Sequence, residues 1–202
     1  MVTRGFTGRR VDAELAARMP PGQHATQDFP VLSASPTPEI DLGNWKFTLK
    51  HGARTIARWS WLEFNQLPRT LWEGDIHCVT SWSKFDTTWE GVSIDDLLTA
   101  AGIGELTPFV LAESYGGYST NVPAADLVGG KAMVATMYGG RPLSSQHGGP
   151  ARLLVPHLYF WKSAKWCNGL KFTERDEAGF WELRGYHMRG DPWQEQRYSG
   201  DQ

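Results

Sequence analysis

Trp45, Phe47 and Leu49 alternate with Lys46, Thr48 and Lys50, and His51-Gly52 then turns the chain toward a second extended run, Thr55 to Trp59. A period of two sends successive side chains to opposite faces, so this stretch buries its aromatic residues as a strand with one wet face, and the turn predicts a hairpin. The pattern downstream argues against a doubly wound sheet. Ser60 and Glu63 form a Ser-x-x-Glu capping box for a short helix that stops before Pro68. Ser93 and Asp96 repeat the spacing ahead of the helical stripe Ile94, Leu97, Leu98 and Ala101, which ends at Gly102. Phe109 to Ala112, Ala132 to Tyr138, Leu153 to Pro156 and Leu170 to Thr173 read as further strands, and Pro123 to Leu127 as a helical turn opened by proline. Strands and short helices interleave without regular alternation, which predicts an α+β fold of mixed β-sheets with short helices.

A chain of 202 residues with 41% hydrophobic content can bury one substantial core and is short for two domains. Residues 1–28 read as an irregular arm, with a short helix at Val11 to Arg18 closed by Pro20-Pro21-Gly22, and residues 29–202 as the domain. The formal charge of −2, without a basic stripe, argues against a nucleic-acid partner. No apolar stretch approaches the roughly 20 residues that cross a bilayer, so no membrane span is expected. Arg9-Arg10 has the look of an export signal, but Val11 to Met19 contains Asp12, Glu14 and Arg18 and is no apolar h-region. With two distant cysteines and no disulfide pattern, the expectation is a cytoplasmic protein.

Of the two cysteines, Cys78 sits in Asp75-Ile76-His77-Cys78-Val79-Thr80-Ser81-Trp82, with no second thiol at ligand spacing. A structural zinc or iron–sulfur site needs several thiolates or imidazoles at short intervals. Cys78 is therefore either buried filler or a single functional thiolate. Far downstream, His147-Gly148-Gly149-Pro150-Ala151-Arg152 precedes the apolar run Leu153 to Pro156, and Lys162-Ser163-Ala164-Lys165-Trp166 comes after it. Arg152, Lys162, Lys165, Ser163 and His147 thus gather at the two ends of one strand, a donor set suited either to a phosphate-bearing ligand or to a solvated rim.

Five ordered blocks resemble the sulfite oxidase family of molybdopterin enzymes. They are Cys78-Val79-x-x-Trp82, Trp89 to Leu98, Gly117-Tyr118 before Asn121-Val122-Pro123, His147-Gly148-x-Pro150-x-Arg152, and Lys162-Ser163-x-Lys165-Trp166. The likeness runs from about Phe29 to Phe172 and is closer to small bacterial members made of the molybdenum domain alone. It implies that residues 29–202 are a molybdopterin-binding oxidoreductase domain with molybdenum held by the pterin dithiolene and by one protein thiolate, Cys78. It also implies that His147, Arg152, Ser163 and Lys165 contact the pterin and its phosphate, with Ser114, Phe29, Ala164 and, more weakly, Lys162 beside them. Tyr118 matches a tyrosine that points at the metal oxygen, where a phenol could donate a hydrogen bond.

Two departures bear on substrate. Sulfite oxidases carry Phe-x-Val-Arg-Asn-His-x-Pro-x-Pro near the start of this domain, and here the arginine position is Leu32; a second arginine after the cysteine has become Ser83. A dianion entering a buried site wants fixed guanidinium donors. The expectation is therefore oxygen-atom abstraction from an S-oxide or N-oxide, with electrons from a separate flavin, heme or iron–sulfur protein, because the family's heme and dimerisation domains are absent. A sulfite dehydrogenase in which Lys84 or Arg54 enters the site stays open. So do a thiol hydrolase built on Cys78 and His147, and a cofactor carrier without turnover.

Overall fold

A computed structural model describes residues 13–202. Arg9-Arg10 and the first residues of the Val11 to Arg18 helix lie outside that range, and residues 13–17 are helical. The alternating run forms β2 (Lys46–His51) and pairs antiparallel with β3 (Arg54–Ser60), burying Trp45, Phe47 and Leu49 almost completely. Ser60 and Glu63 close the capping box on the helix Trp61–Phe64, each satisfying the other's backbone N–H. Ser93 caps the helix Ile94–Ala100 in the same way, by accepting from the Asp96 N–H.

Among the described residues the strands form two sheets. One contains β1 (His24–Ala25), β4 (Thr70–His77), β5 (Trp82–Ser93), β8 (Met133–Tyr138), β9 (Arg141–Pro142) and β10 (Arg152–Leu154). The other runs β3-β2-β11-β6-β7, with β6 (Phe109–Ser114), β7 (Ser119–Pro123) and β11 (Cys167–Thr173). β1 is parallel to β5 and β11 to β2, while the other pairings are antiparallel. These are mixed sheets with short helices, as the sequence pattern implies.

The period of two along the first sheet places the site. Val134 and Leu153 point into the main core shared with Phe47, Val110 and Leu170 of the second sheet. Met133, Ala135 and Leu154 point the other way, into a smaller cluster with Ile76, Cys78, Trp82, Trp89 and Phe160. Arg152 shares the parity of Leu154 and so projects on the Cys78 side of the sheet. Full burial of one such apolar side chain stabilises the fold by roughly 1.5–3 kcal/mol, so both faces of this sheet are fixed by packing.

The hairpin β4–β5 is the element that simple periodicity hides. Its register shifts between Gly74 and Ile76, Asp86 across from that shift has a positive φ of 53°, and β5 shifts again in its pairing with β8 between Glu90 and Gly91. Each shift breaks the alternation that marks a strand. Gly91 is needed where it stands, because a Cβ there would meet the Val134 carbonyl oxygen at 2.2 Å.

Candidate active site

Cys78 lies at the tip of the β4–β5 hairpin. Its N–H donates to Trp82 O at 2.8 Å, Ser81 N–H donates to Cys78 O at 3.0 Å, and Ser81 takes a φ of 71° to close the turn. The flanking segments pin this loop from two sides: Gln23 Nε2 donates to Cys78 O at 3.1 Å and Arg197 NH1 to Val79 O at 2.7 Å. The arm adds β1 alongside Trp82-Ser83, and Arg18 bonds Asp75 at the register shift of β4. Thr80 Oγ1 donates to Cys78 Sγ at 3.1 Å. Burial raises the thiol pKa, while the Thr80 hydrogen bond and the Arg152 charge oppose it.

The thiol borders a cavity of about 310 Å³, which lies at the small end of the roughly 300–1,000 Å³ typical of ligand pockets. Of the residues singled out in the sequence, Phe29, Cys78, Tyr118, Arg152, Ser163, Ala164 and Lys165 line it. Arg152 is 2% exposed; NH1 donates to His147 O at 2.7 Å, NH2 to Ser163 O at 2.9 Å, and the guanidinium stacks on Phe160 at 3.8 Å from the ring centre. Its Nε is buried and has no partner. Burial pushes this guanidinium down to about 9, which leaves it cationic at neutral pH. Lys165 Nζ donates to Ser33 Oγ at 2.8 Å and Gln146 O at 2.7 Å; burial, then Arg152, lowers it to about 8. Ser163 Oγ accepts from Val155 N–H, and the Ala164 carbonyl from Leu153 N–H, so the 163–165 turn is locked to β10 and the residue after it.

Three other residues of that set stand back from the cavity. His147 is a support: Nε2 donates to Phe29 O at 2.9 Å, which leaves Nδ1 to accept from Ser144 Oγ, and its ring stacks on Phe29 at 4.0 Å. Cys78 and His147 therefore make no nucleophile–base pair, since both imidazole nitrogens are engaged and Sγ pairs with Thr80. Ser114 is buried with an unpartnered Oγ and is not in the cavity wall. Lys162 departs furthest from the expected set. Its ammonium is fully buried and donates to Glu182 Oε1, Asn121 O, Asn121 Oδ1 and Met188 O. With that many partners it has no donor for a ligand; its neighbour in the sequence, Ser163, does reach the cavity.

Tyr118 Oη donates to Trp161 O at 2.6 Å, and burial followed by the nearby Glu182 charge pushes the phenol well above its ordinary value of 10. Leu32 is in the cavity wall, half exposed. Neither Lys84 nor Arg54 is: Lys84 Nζ donates to Gln27 O, and Arg54 opens β3 on the other sheet. Ser83 is fully buried against His77 Nδ1 at 2.8 Å. The sequence reading missed Trp161, Trp181 and Tyr186, which complete the wall. The signal in the sequence for Trp181 and Tyr186 is the aromatic-rich run from Phe180 to Trp193.

A family model described as oxidoreductase molybdopterin binding domain matches residues 34–181. The chain belongs to this family of molybdopterin-binding oxidoreductases. It is 39% identical to the uncharacterized oxidoreductase YuiH of Bacillus subtilis over 97% of this chain and all of that one. It is 24% identical to YedZ1 of Azospira oryzae, named for a proposed role as a protein-methionine-sulfoxide reductase subunit, across 75% of this chain and 58% of that protein. A sulfite oxidase of Arabidopsis thaliana is 26% identical over 51% of this chain and 30% of its own length. The fold is that of the sulfane dehydrogenase SoxCD of Paracoccus pantotrophus, at a TM-score of 0.60 and 18% identity over 69% of this chain and 40% of that one. The chain thus spans only part of the last three proteins.

This molybdenum oxidoreductase has a donor set that fits its cofactor. Among the described residues no group of three or more His, Cys, Asp or Glu is arranged for a metal, and the soft ligand that the cavity offers is one thiol. Cys78 is the cysteine that borders the cavity; Cys167 is fully buried elsewhere and pushed up to about 12. The orphaned Arg152 Nε is a buried donor without an acceptor, and an oxygen-rich pterin phosphate would supply one.

Proposed function

We propose that this molybdopterin oxidoreductase removes an oxygen atom from a neutral S-oxide or N-oxide, with electrons delivered by a separate flavin, heme or iron–sulfur protein. One observation carries the reading. The two cations of the cavity wall, Arg152 and Lys165, are taken up in this reading by the pterin and its phosphate, and Leu32 stands where a sulfite-binding arginine would. An apolar side chain cannot offset the desolvation of a dianion. The name of the Azospira relative supports the same direction.

Bound in this cavity, the cofactor supplies two-electron oxygen-atom chemistry, and the chain supplies orientation and electrostatics. In this reading Cys78 is the protein ligand of molybdenum, with its thiolate held by the metal and by Thr80. Arg152, Lys165, Ser163, Ala164 and Phe29 hold the pterin and its phosphate, while His147 fixes Phe29 from behind. Tyr118 keeps its proton at every working pH, and it assists by turning its O–H from Trp161 O to the substrate oxygen. Residues 1–28 form an arm whose described part, from residue 13, clamps the Cys78 hairpin, and residues 29–202 act as the catalytic domain. We place the protein in the cytoplasm, a reading supported by two free cysteines; among the described residues no helix is long and apolar enough to cross a membrane.

The test is a steady-state survey with purified, molybdenum-loaded protein and artificial electron carriers, comparing oxide reduction with sulfite oxidation. Efficient reduction with little sulfite turnover is the expected result. Efficient sulfite oxidation would overturn it.

A further inference from the structure

Trp161, Trp181 and Tyr186 form a continuous aromatic wall on the cavity. The Trp161 and Tyr186 ring centres lie 5.2 Å apart, edge to face, and those of Trp181 and Tyr186 4.9 Å apart. Tyr186 falls beyond the 34–181 stretch matched by the family model, so this part of the wall belongs to the chain's own C-terminal segment. The wall is braced from behind. Trp161 Nε1 donates to Glu182 Oε1 at 2.8 Å, Tyr186 N–H to Trp181 O at 3.1 Å and Ser199 N–H to Gly185 O at 2.9 Å. Gly190 lies so close to Trp161 that a Cβ there would meet Cζ2 at 2.6 Å. Rings held this way present a fixed apolar surface rather than a loose flap.

Resting on the reductase reading, we propose that these three rings form a subsite for the apolar substituents of an S-oxide, and that the cavity selects S-oxides over N-oxides. Aromatic rings make favourable contacts with polarisable sulfur and with the alkyl or aryl groups it carries. In the balanced reaction a sulfoxide takes up two electrons and two protons and gives a thioether and water. The S–O bond breaks, its oxygen leaves in the water, and the electrons come from the separate electron-transfer protein. The product thioether is neutral and leaves the charge of the cavity unchanged. An N-oxide brings no sulfur to the rings, so this contact is missing for it.

The experiment uses the molybdenum-loaded protein with a reduced viologen dye, and methyl phenyl sulfoxide and trimethylamine N-oxide as substrates. Binding of methyl phenyl sulfone, a non-reacting analogue, is measured separately by calorimetry. Wild type should favour the sulfoxide in kcat/KM. Tyr186→Ala and Trp181→Leu should each raise its KM and weaken sulfone binding by about threefold to tenfold, with kcat within about twofold, while Tyr186→Phe keeps the ring and the affinity. Melting curves of Tyr186→Ala and Tyr186→Phe that coincide tie the effect to the ring rather than to folding. Unchanged KM and sulfone affinity in both ring-removal variants would overturn the subsite, as would a wild-type preference for the N-oxide. Ring-dependent sulfone binding without turnover of either oxide would support the subsite and sink the reductase reading instead.

Discussion

Lys162 and Glu182 form an ion pair with no exposure on either side chain, Nζ to Oε1 2.6 Å, and this pair ties the Trp161 corner of the cavity to the C-terminal segment. Glu182 Oε1 also accepts from Thr120 Oγ1 and Trp161 Nε1, so one carboxylate oxygen joins three segments of the chain. Removing one partner leaves a buried charge uncompensated. Lys162→Met is expected to destabilise the fold by about 3–5 kcal/mol, and the double variant Lys162→Met/Glu182→Leu to recover part of that loss. Denaturant midpoints of the wild type, both single variants and the double variant check it; a lower cofactor content at unchanged stability would return Lys162 to the ligand.

Cys78→Ser should largely abolish oxygen-atom transfer and change the electronic spectrum of the loaded protein, because a hydroxyl is a poor substitute for a soft thiolate. Cys167→Ser should leave both unchanged, since that thiol is sealed in the main core and its Sγ–H faces Gly169 O at 3.7 Å. Spectra and rates of the two variants, side by side, decide the assignment.

Tyr118→Phe removes a single O–H that now donates to Trp161 O. The molybdenum content should stay as in wild type while kcat falls by about ten- to a thousandfold, the range for one positioned donor. A normal kcat would leave the tyrosine as packing against Phe180.

Leu32→Arg places a guanidinium at the cavity mouth. It should raise kcat/KM for sulfite oxidation and lower it for neutral oxides, by about tenfold in their ratio, a change of about 1.4 kcal/mol in relative transition-state binding. Kinetics with both substrate types in one preparation measure the ratio directly.

Asp126 accepts from His157 Nε2 at 3.2 Å and from Arg189 Nε at 3.1 Å, and these partners, the His157 hydrogen bond first, hold its carboxyl down at about 2. A depressed carboxyl stabilises the fold fully above its ordinary value near 3.8, and that contribution is lost as pH falls through about 2. Asp126→Asn should therefore cost about 2 kcal/mol at pH 7 and progressively less as pH is lowered from about 4 to 2. Unfolding curves of both proteins at neutral pH and across the acid limb test the sign and the window.

Local chemistry made much of this protein legible from the chain alone. The alternation from Trp45 to Leu49, the two serine caps and the positions of Gly52 and Gly102 act over a few residues, so hairpin and helices could be placed without tertiary information. The family blocks likewise pointed to Cys78, Arg152, Ser163 and Lys165, and these residues do line one cavity. What only the fold decided depends on contacts between distant segments. The register shift between Gly74 and Ile76 erased the pattern of the hairpin that carries Cys78, because a bulge moves every later side chain to the opposite face. Lys162 and Lys165 are three residues apart and alike in sequence. Glu182, arriving from the C-terminal segment, draws the first into a buried pair, while Ser33 and Gln146 hold the second at the cavity. The aromatic wall is a tertiary product for the same reason: Trp161, Trp181 and Tyr186 meet only because that segment folds back across the site.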